Sequence, residues 1–123
     1  MKMKFIARAV LLGLTLSVWA CSNDSTSDLV DPQRLPDNVT YAEHVKPIID
    51  NNCIRCHNQP PVNGAPMPLT TYEFAADAIT HRPLVEKISK PNGAPGLMPF
   101  GGPRLPQRSI DIIKKWQAQG LQR

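Results

Sequence analysis

The chain has 123 residues, a formal net charge of +4, 13 prolines and three cysteines. Three of its 14 basic residues, Lys2, Lys4 and Arg8, sit at the N-terminus, and without them the charge falls to about +1. No basic cluster remains, which excludes nucleic-acid binding, and the length allows one small domain.

Residues 1–20 have the anatomy of an export signal. Met1-Lys2-Met3-Lys4 and Arg8 give a positive start, Ala9 to Trp19 form an apolar run, and small Ala20 precedes Cys21. The run is too short to span a bilayer, which takes about 20 apolar residues. Val18-Trp19-Ala20-Cys21 resembles the lipobox of bacterial lipoproteins, with Trp19 where a small residue is usual. That resemblance implies cleavage before Cys21 and a lipid on its thiol, hence a membrane anchor. The alternative is an ordinary signal peptide cut near Ala20, leaving Cys21 as a spare thiol. Ser22 after the cysteine resembles the enteric-type pattern for outer-membrane sorting. Residues 21–37 are polar, broken by Pro32 and Pro36, and predict a flexible tether.

Residues 38–123 predict one all-α domain, with short helices between proline-rich loops and no strand alternation. Thr40-Tyr41-Ala42-Glu43 has the form of a capping box. Pro47 then either kinks the helix begun at Tyr41 or opens a new segment as a first-turn residue. Val45, Ile48 and Ile49 give this segment one apolar face, and it leads directly into Cys53.

Cys53-Ile54-Arg55-Cys56-His57 is the signature of covalent haem attachment. Each thiol can add across one haem vinyl group, and two intervening residues match the vinyl spacing. His57 can then reach the iron from the same side. A haem held this way is a one-electron centre, so the expected function is electron transfer with one haem c per chain. In an exported chain the cysteines could instead form a disulfide.

Thr70-Thr71-Tyr72-Glu73 predicts the next helix start, running to about Thr80. Pro83 opens another with Leu84, Val85 and Ile88. The last helix should run from Pro106 to Gln119 and stop at Gly120. Its Ile110, Ile112, Ile113 and Trp116 fall within an arc of roughly 160°. The helix before Cys53 is the natural partner for that stripe. Tyr41 and Tyr72 read as packing residues.

Nine of the 13 prolines lie in two loops, one after His57 and one around Met98. Proline lowers the entropy lost on ordering, which suits loops that hold a ligand atom still. For the sixth iron position Met98 is the first candidate, 41 residues after His57 in Gly96-Leu97-Met98-Pro99-Phe100-Gly101-Gly102. Met67, His44 and His81 are the others, and Met67 is only ten residues past His57. Arg55, Arg82 and Arg104 could meet haem propionates but read first as surface charges.

In these features the chain resembles a small monohaem class I-type cytochrome c in its bacterial lipoprotein form. Three of them carry the resemblance: Val45 to Asn52 leading into the Cys53–His57 motif, Met98-Pro99 followed by Gly101-Gly102, and a terminal helix with Ile113 and Trp116 before Gly120. The resemblance implies the cytochrome c fold, with first and last helices crossing and haem in the crevice between loops. It implies His57 and Met98 as axial ligands, Trp116 packing at the crossing, and a periplasmic setting. It also implies an electron carrier rather than an enzyme, serving transient redox protein partners, as a subunit or partner of an oxidoreductase. Two other classes stay open. One is a zinc or thiol-redox module built on Cys53, Cys56 and His57, with His44 or His81 as a fourth zinc ligand. The other is a haem protein with a displaceable sixth ligand, acting as a gas sensor or weak peroxidase.

Overall fold

The computed structural model describes residues 34–123, and all regular secondary structure among them is helical. The leader, Cys21 and most of the expected tether lie outside the described residues. None of the described helices is long and apolar enough to cross a membrane.

The first helical segment starts where Thr40 predicts it. A π-helical turn, Tyr41–Val45, runs directly into α1, Lys46–Asn52. The Thr40 carbonyl accepts from both His44 N (3.2 Å) and Val45 N (3.3 Å), which widens the turn. A proline ring needs room at the carbonyl four residues earlier, here Glu43, and the wide turn lies there. Pro47 then sits in the first turn of α1, where a missing N–H costs least. Both roles expected for Pro47 are thus combined.

The cap differs from the predicted box in one half. The Thr40 hydroxyl accepts from Glu43 N at 3.4 Å, as expected. The reciprocal bond comes from His44, whose Nδ1 accepts the Thr40 N–H at 3.2 Å. Helix α2, Tyr72–Thr80, is capped by the Thr71 hydroxyl accepting from Phe74 N at 3.3 Å. Helix α3 spans Leu84–Ser89 directly after Pro83.

Helix α4, Gln107–Ala118, ends in a Schellman arrangement. Gly120 N bonds the Gln117 carbonyl at 3.2 Å and Leu121 N bonds the Trp116 carbonyl at 3.0 Å. Gly120 has φ +80°, a conformation that strains side chains with a Cβ, so glycine there is the predicted stop.

The core is a single apolar cluster. Val45 and Ile49 enter it from the first segment, Ala75 and Ala78 from α2, Ile88 from α3, and Ile110, Ile113 and Trp116 from α4. No polar or charged residue is buried among the described residues. Helix α4 packs on both the π-turn and α3, so its apolar stripe meets the segment before Cys53.

The crossing is closed by aromatic rings and by the chain end. Tyr41 lies 5.7 Å from Trp116 and 5.6 Å from Tyr72, centroid to centroid, with Tyr72 6.0 Å from Trp116. The Gln122 carbonyl accepts from Tyr41 N (2.8 Å) and from the Trp116 indole (2.6 Å). Tyr72 donates its hydroxyl to the Leu121 carbonyl at 2.9 Å.

Residues 34–37, at the end of the expected tether, already contact α4 and the residue after it. The Arg34 carbonyl accepts from Arg108 at 3.0 Å and the Asp37 carbonyl from Gln119 at 2.7 Å.

Candidate cofactor site

Helix α1 delivers the cysteine motif as a tight turn. Cys53 N bonds the Ile49 carbonyl at 2.8 Å and closes the helix. The Cys53 carbonyl then accepts from Cys56 N (3.1 Å) and His57 N (2.9 Å). The proline-rich loop that follows folds back onto the motif. Val62 N bonds the Cys56 carbonyl at 2.9 Å, and Leu69 N bonds the His57 carbonyl at 2.8 Å.

This fold-back fixes the His57 ring. Its Nδ1 lies 2.8 Å from the Met67 carbonyl. A carbonyl can only accept, so Nδ1 carries the hydrogen and the neutral ring keeps its lone pair on Nε2. That is the tautomer a metal-ligating histidine needs, and a backbone carbonyl is a common partner for holding it.

The two thiols of the motif are free and partly buried. Cys53 packs against the core, and burial pushes its thiol up to about 11. At neutral pH it therefore stays protonated and slow to oxidise. Cys56 Sγ accepts from Asn63 Nδ2 at 3.7 Å. Asn63 and Gly64 both take positive φ (53° and 77°), forming an Asn-Gly turn with Ala65 N on the Val62 carbonyl at 3.0 Å. The reach of Asn63 to Cys56 is set by this turn and not by spacing along the chain.

Met98 sits in the second proline-rich loop, half-buried against the same core cluster that Cys53 and Met67 touch. Its N–H bonds the Lys87 carbonyl at 3.2 Å, which ties the loop to α3. Asn92 Oδ1 accepts from Arg104 N at 2.8 Å and staples the loop across its base. A hollow of about 370 Å³ lies within the loop beside Leu97 and Phe100. Phe100 is 86% exposed and Val62, in the other loop, 45%. The Gln59–Pro60 and Met98–Pro99 peptide bonds are cis.

The remaining sequence candidates go elsewhere. His44 is committed to the Thr40 cap. His81 is exposed and bonds Asp77 at 3.0 Å, as does Arg82 at 3.2 Å. These two partners hold the Asp77 carboxyl below its ordinary value, Arg82 first. Arg104 donates to Gln107 at 2.7 Å, and Arg55 is exposed. Among the described residues no three His, Cys, Asp or Glu side chains converge on a point that could hold a metal ion. Cys21, the expected lipid site, lies outside the described residues. No family model, curated protein or solved structure matches the chain.

Proposed function

We propose that the chain is a monohaem c-type cytochrome with the cytochrome c fold, an electron carrier rather than an enzyme. One observation carries the reading. His57, directly after two free thiols at the Cys-x-x-Cys spacing, has its Nδ1 on the Met67 carbonyl and its Nε2 left for a metal. The residues fit a haem: two reduced sulfurs, one oriented imidazole, a methionine on a tied loop and an apolar core without buried charge. When bound, the haem would supply a one-electron couple. Cys53 and Cys56 would hold it by thioethers, and His57 and Met98 would be the axial ligands.

The geometry also supports Met98 over its rivals. Nδ1 of a ligating histidine points away from the iron, so the Met67 carbonyl that meets it belongs to the His57 side. Met67 is thereby disfavoured for the opposite face. His44 and His81 are engaged by Thr40 and Asp77. A soft thioether from Met98 favours the ferrous state and raises the potential relative to bis-histidine ligation. Against the thiol-redox reading, the segment entering Cys53 is a helix, where a thioredoxin-type site has a strand. A zinc site needs converging donors that the described residues do not offer.

The leader and Cys21 support a periplasmic domain held by a lipid anchor, with the outer membrane favoured by Ser22. Partners would be redox proteins that dock transiently at a small interface, an oxidoreductase among them. The test is substitution at the two axial positions in protein made with the haem-attachment machinery. Met98→Ala should keep covalent haem, lower the potential and let the reduced protein bind carbon monoxide. His57→Ala should be more damaging, with little low-spin haem recovered. An unchanged methionine-type spectrum in Met98→Ala would remove Met98 from the iron.

A further inference from the structure

Two lysines converge beside the Met98 loop. A Cβ on Gly96 would lie 2.9 Å from Lys87 Nζ and 3.5 Å from Lys90 Nζ. Gly96 has φ +74°, so glycine both permits the turn and leaves room for the ammonium groups. Lys90 is already engaged, by Glu86 at 3.4 Å and the Pro95 carbonyl at 3.0 Å. Lys87 is half-buried, and no described residue gives it an ion-pair or hydrogen-bond partner for its ammonium. Two residues on, Ser89 Oγ is buried without a partner. A buried donor without an acceptor is costly, and Ser89 Oγ, the last residue of α3, is one.

The position ties this feature to the loop that carries Met98. The Lys87 carbonyl is the one that holds Met98 N, at 3.2 Å. Lys87 and Met98 are thereby neighbours, and a lysine side chain is long enough to reach a group that Met98 would ligate. If that group is a haem, its two propionates are the anionic parts, and the arginines considered for them are exposed or engaged elsewhere. We propose that Lys87 receives a haem propionate at the C-terminal end of α3, with Lys90 adding positive charge beside it. This rests on the reading of the chain as a c-type cytochrome. By neutralising the propionate next to the Met98 loop, Lys87 would favour the ferrous over the ferric state.

The experiment compares Lys87→Gln, Lys87→Arg and Lys114→Gln in the full-length holoprotein; exposed Lys114 is the surface control. Midpoint potentials are measured at low and high salt, and propionate carboxylate bands by redox-difference infrared spectroscopy. Lys87→Gln should shift the equilibrium severalfold toward ferric, keep most of that shift at high salt, and move the carboxylate bands. Lys87→Arg should restore the potential, and Lys114→Gln should give a small shift that salt screens away. A Lys87→Gln protein indistinguishable from Lys114→Gln would overturn the assignment. Should Lys87→Gln fail to accumulate with haem, Lys87→Arg decides. A guanidinium meeting the propionate moves its bands relative to wild type, and unmoved bands reject the pair. Wild-type protein without covalent haem would defeat the cytochrome reading itself; wild-type haem with a silent Lys87 defeats this assignment alone.

Discussion

At the helix crossing, the Trp116 indole, the Tyr72 hydroxyl and the Tyr41 amide all end on carbonyls of Leu121 and Gln122. In the two proline-rich loops and their attachments, the Cys53 thiol, His57 Nε2 and the Lys87 ammonium have no partner among the described residues. Val62 and Phe100, one in each loop, expose apolar surface there. The first region is completed by protein atoms except at the Tyr41 hydroxyl, which is buried without a partner. The second has polar groups and apolar area that the protein itself does not partner, as the proposed use of a prosthetic group to finish a small core would require.

That contrast can be broken by mutation. Trp116→Ala removes a fully buried ring and its indole bond, and should cost about 3–5 kcal/mol in urea unfolding of the holoprotein. Phe100→Ala should cost less than about 0.5 kcal/mol in the same measurement, since the ring is exposed. Comparable losses at both sites would mean that the loop is as tightly built as the crossing. Between these extremes, Thr71→Ala removes the cap of α2 and should cost about 1 kcal/mol, while Thr71→Ser should recover most of it.

The smallest effect is electrostatic and confined to the surface. Arg82 and His81 lower the Asp77 carboxyl from its ordinary 3.8. A lowered carboxylate contributes stability above its unfolded value, and loses it as pH falls through the folded one. Asp77→Asn should therefore be slightly less stable than wild type at neutral pH and equal to it once pH has fallen below the folded-state value. The gap should shrink with salt, because the pairs are exposed. A gap that widens in acid would reverse the sign and contradict the ion-pair assignment.

Local signals explain what could be read from the chain beforehand. Thr40, Thr71, Pro83 and Gly120 act on the backbone within a few residues, and the helices begin and end at them. The arc of Ile110, Ile112, Ile113 and Trp116 is equally local, and all of it except half-buried Ile112 is the buried face of α4. The π-turn was not legible, because it reflects an accommodation between Thr40 and Pro47 rather than a propensity. Neither was the Met67 carbonyl behind His57, since every residue offers a carbonyl and only loop closure selects one. The sequence carries no signal for Lys87 beside the Met98 loop, for the same reason. Its proximity to Gly96 is made by the turn of residues 93–98, not by spacing along the chain. The docking of residues 34–37 on α4 likewise depends on Arg108 and Gln119, far away in sequence.

The central claim is that Cys53 and Cys56 carry a haem, and an alkaline pyridine haemochrome spectrum of protein made with the haem-attachment machinery tests it most directly. The account predicts a spectrum typical of two thioether bonds, at about one haem per chain. Soluble, folded protein without covalent haem would contradict it, and would return Cys53, Cys56 and His57 to zinc or disulfide chemistry.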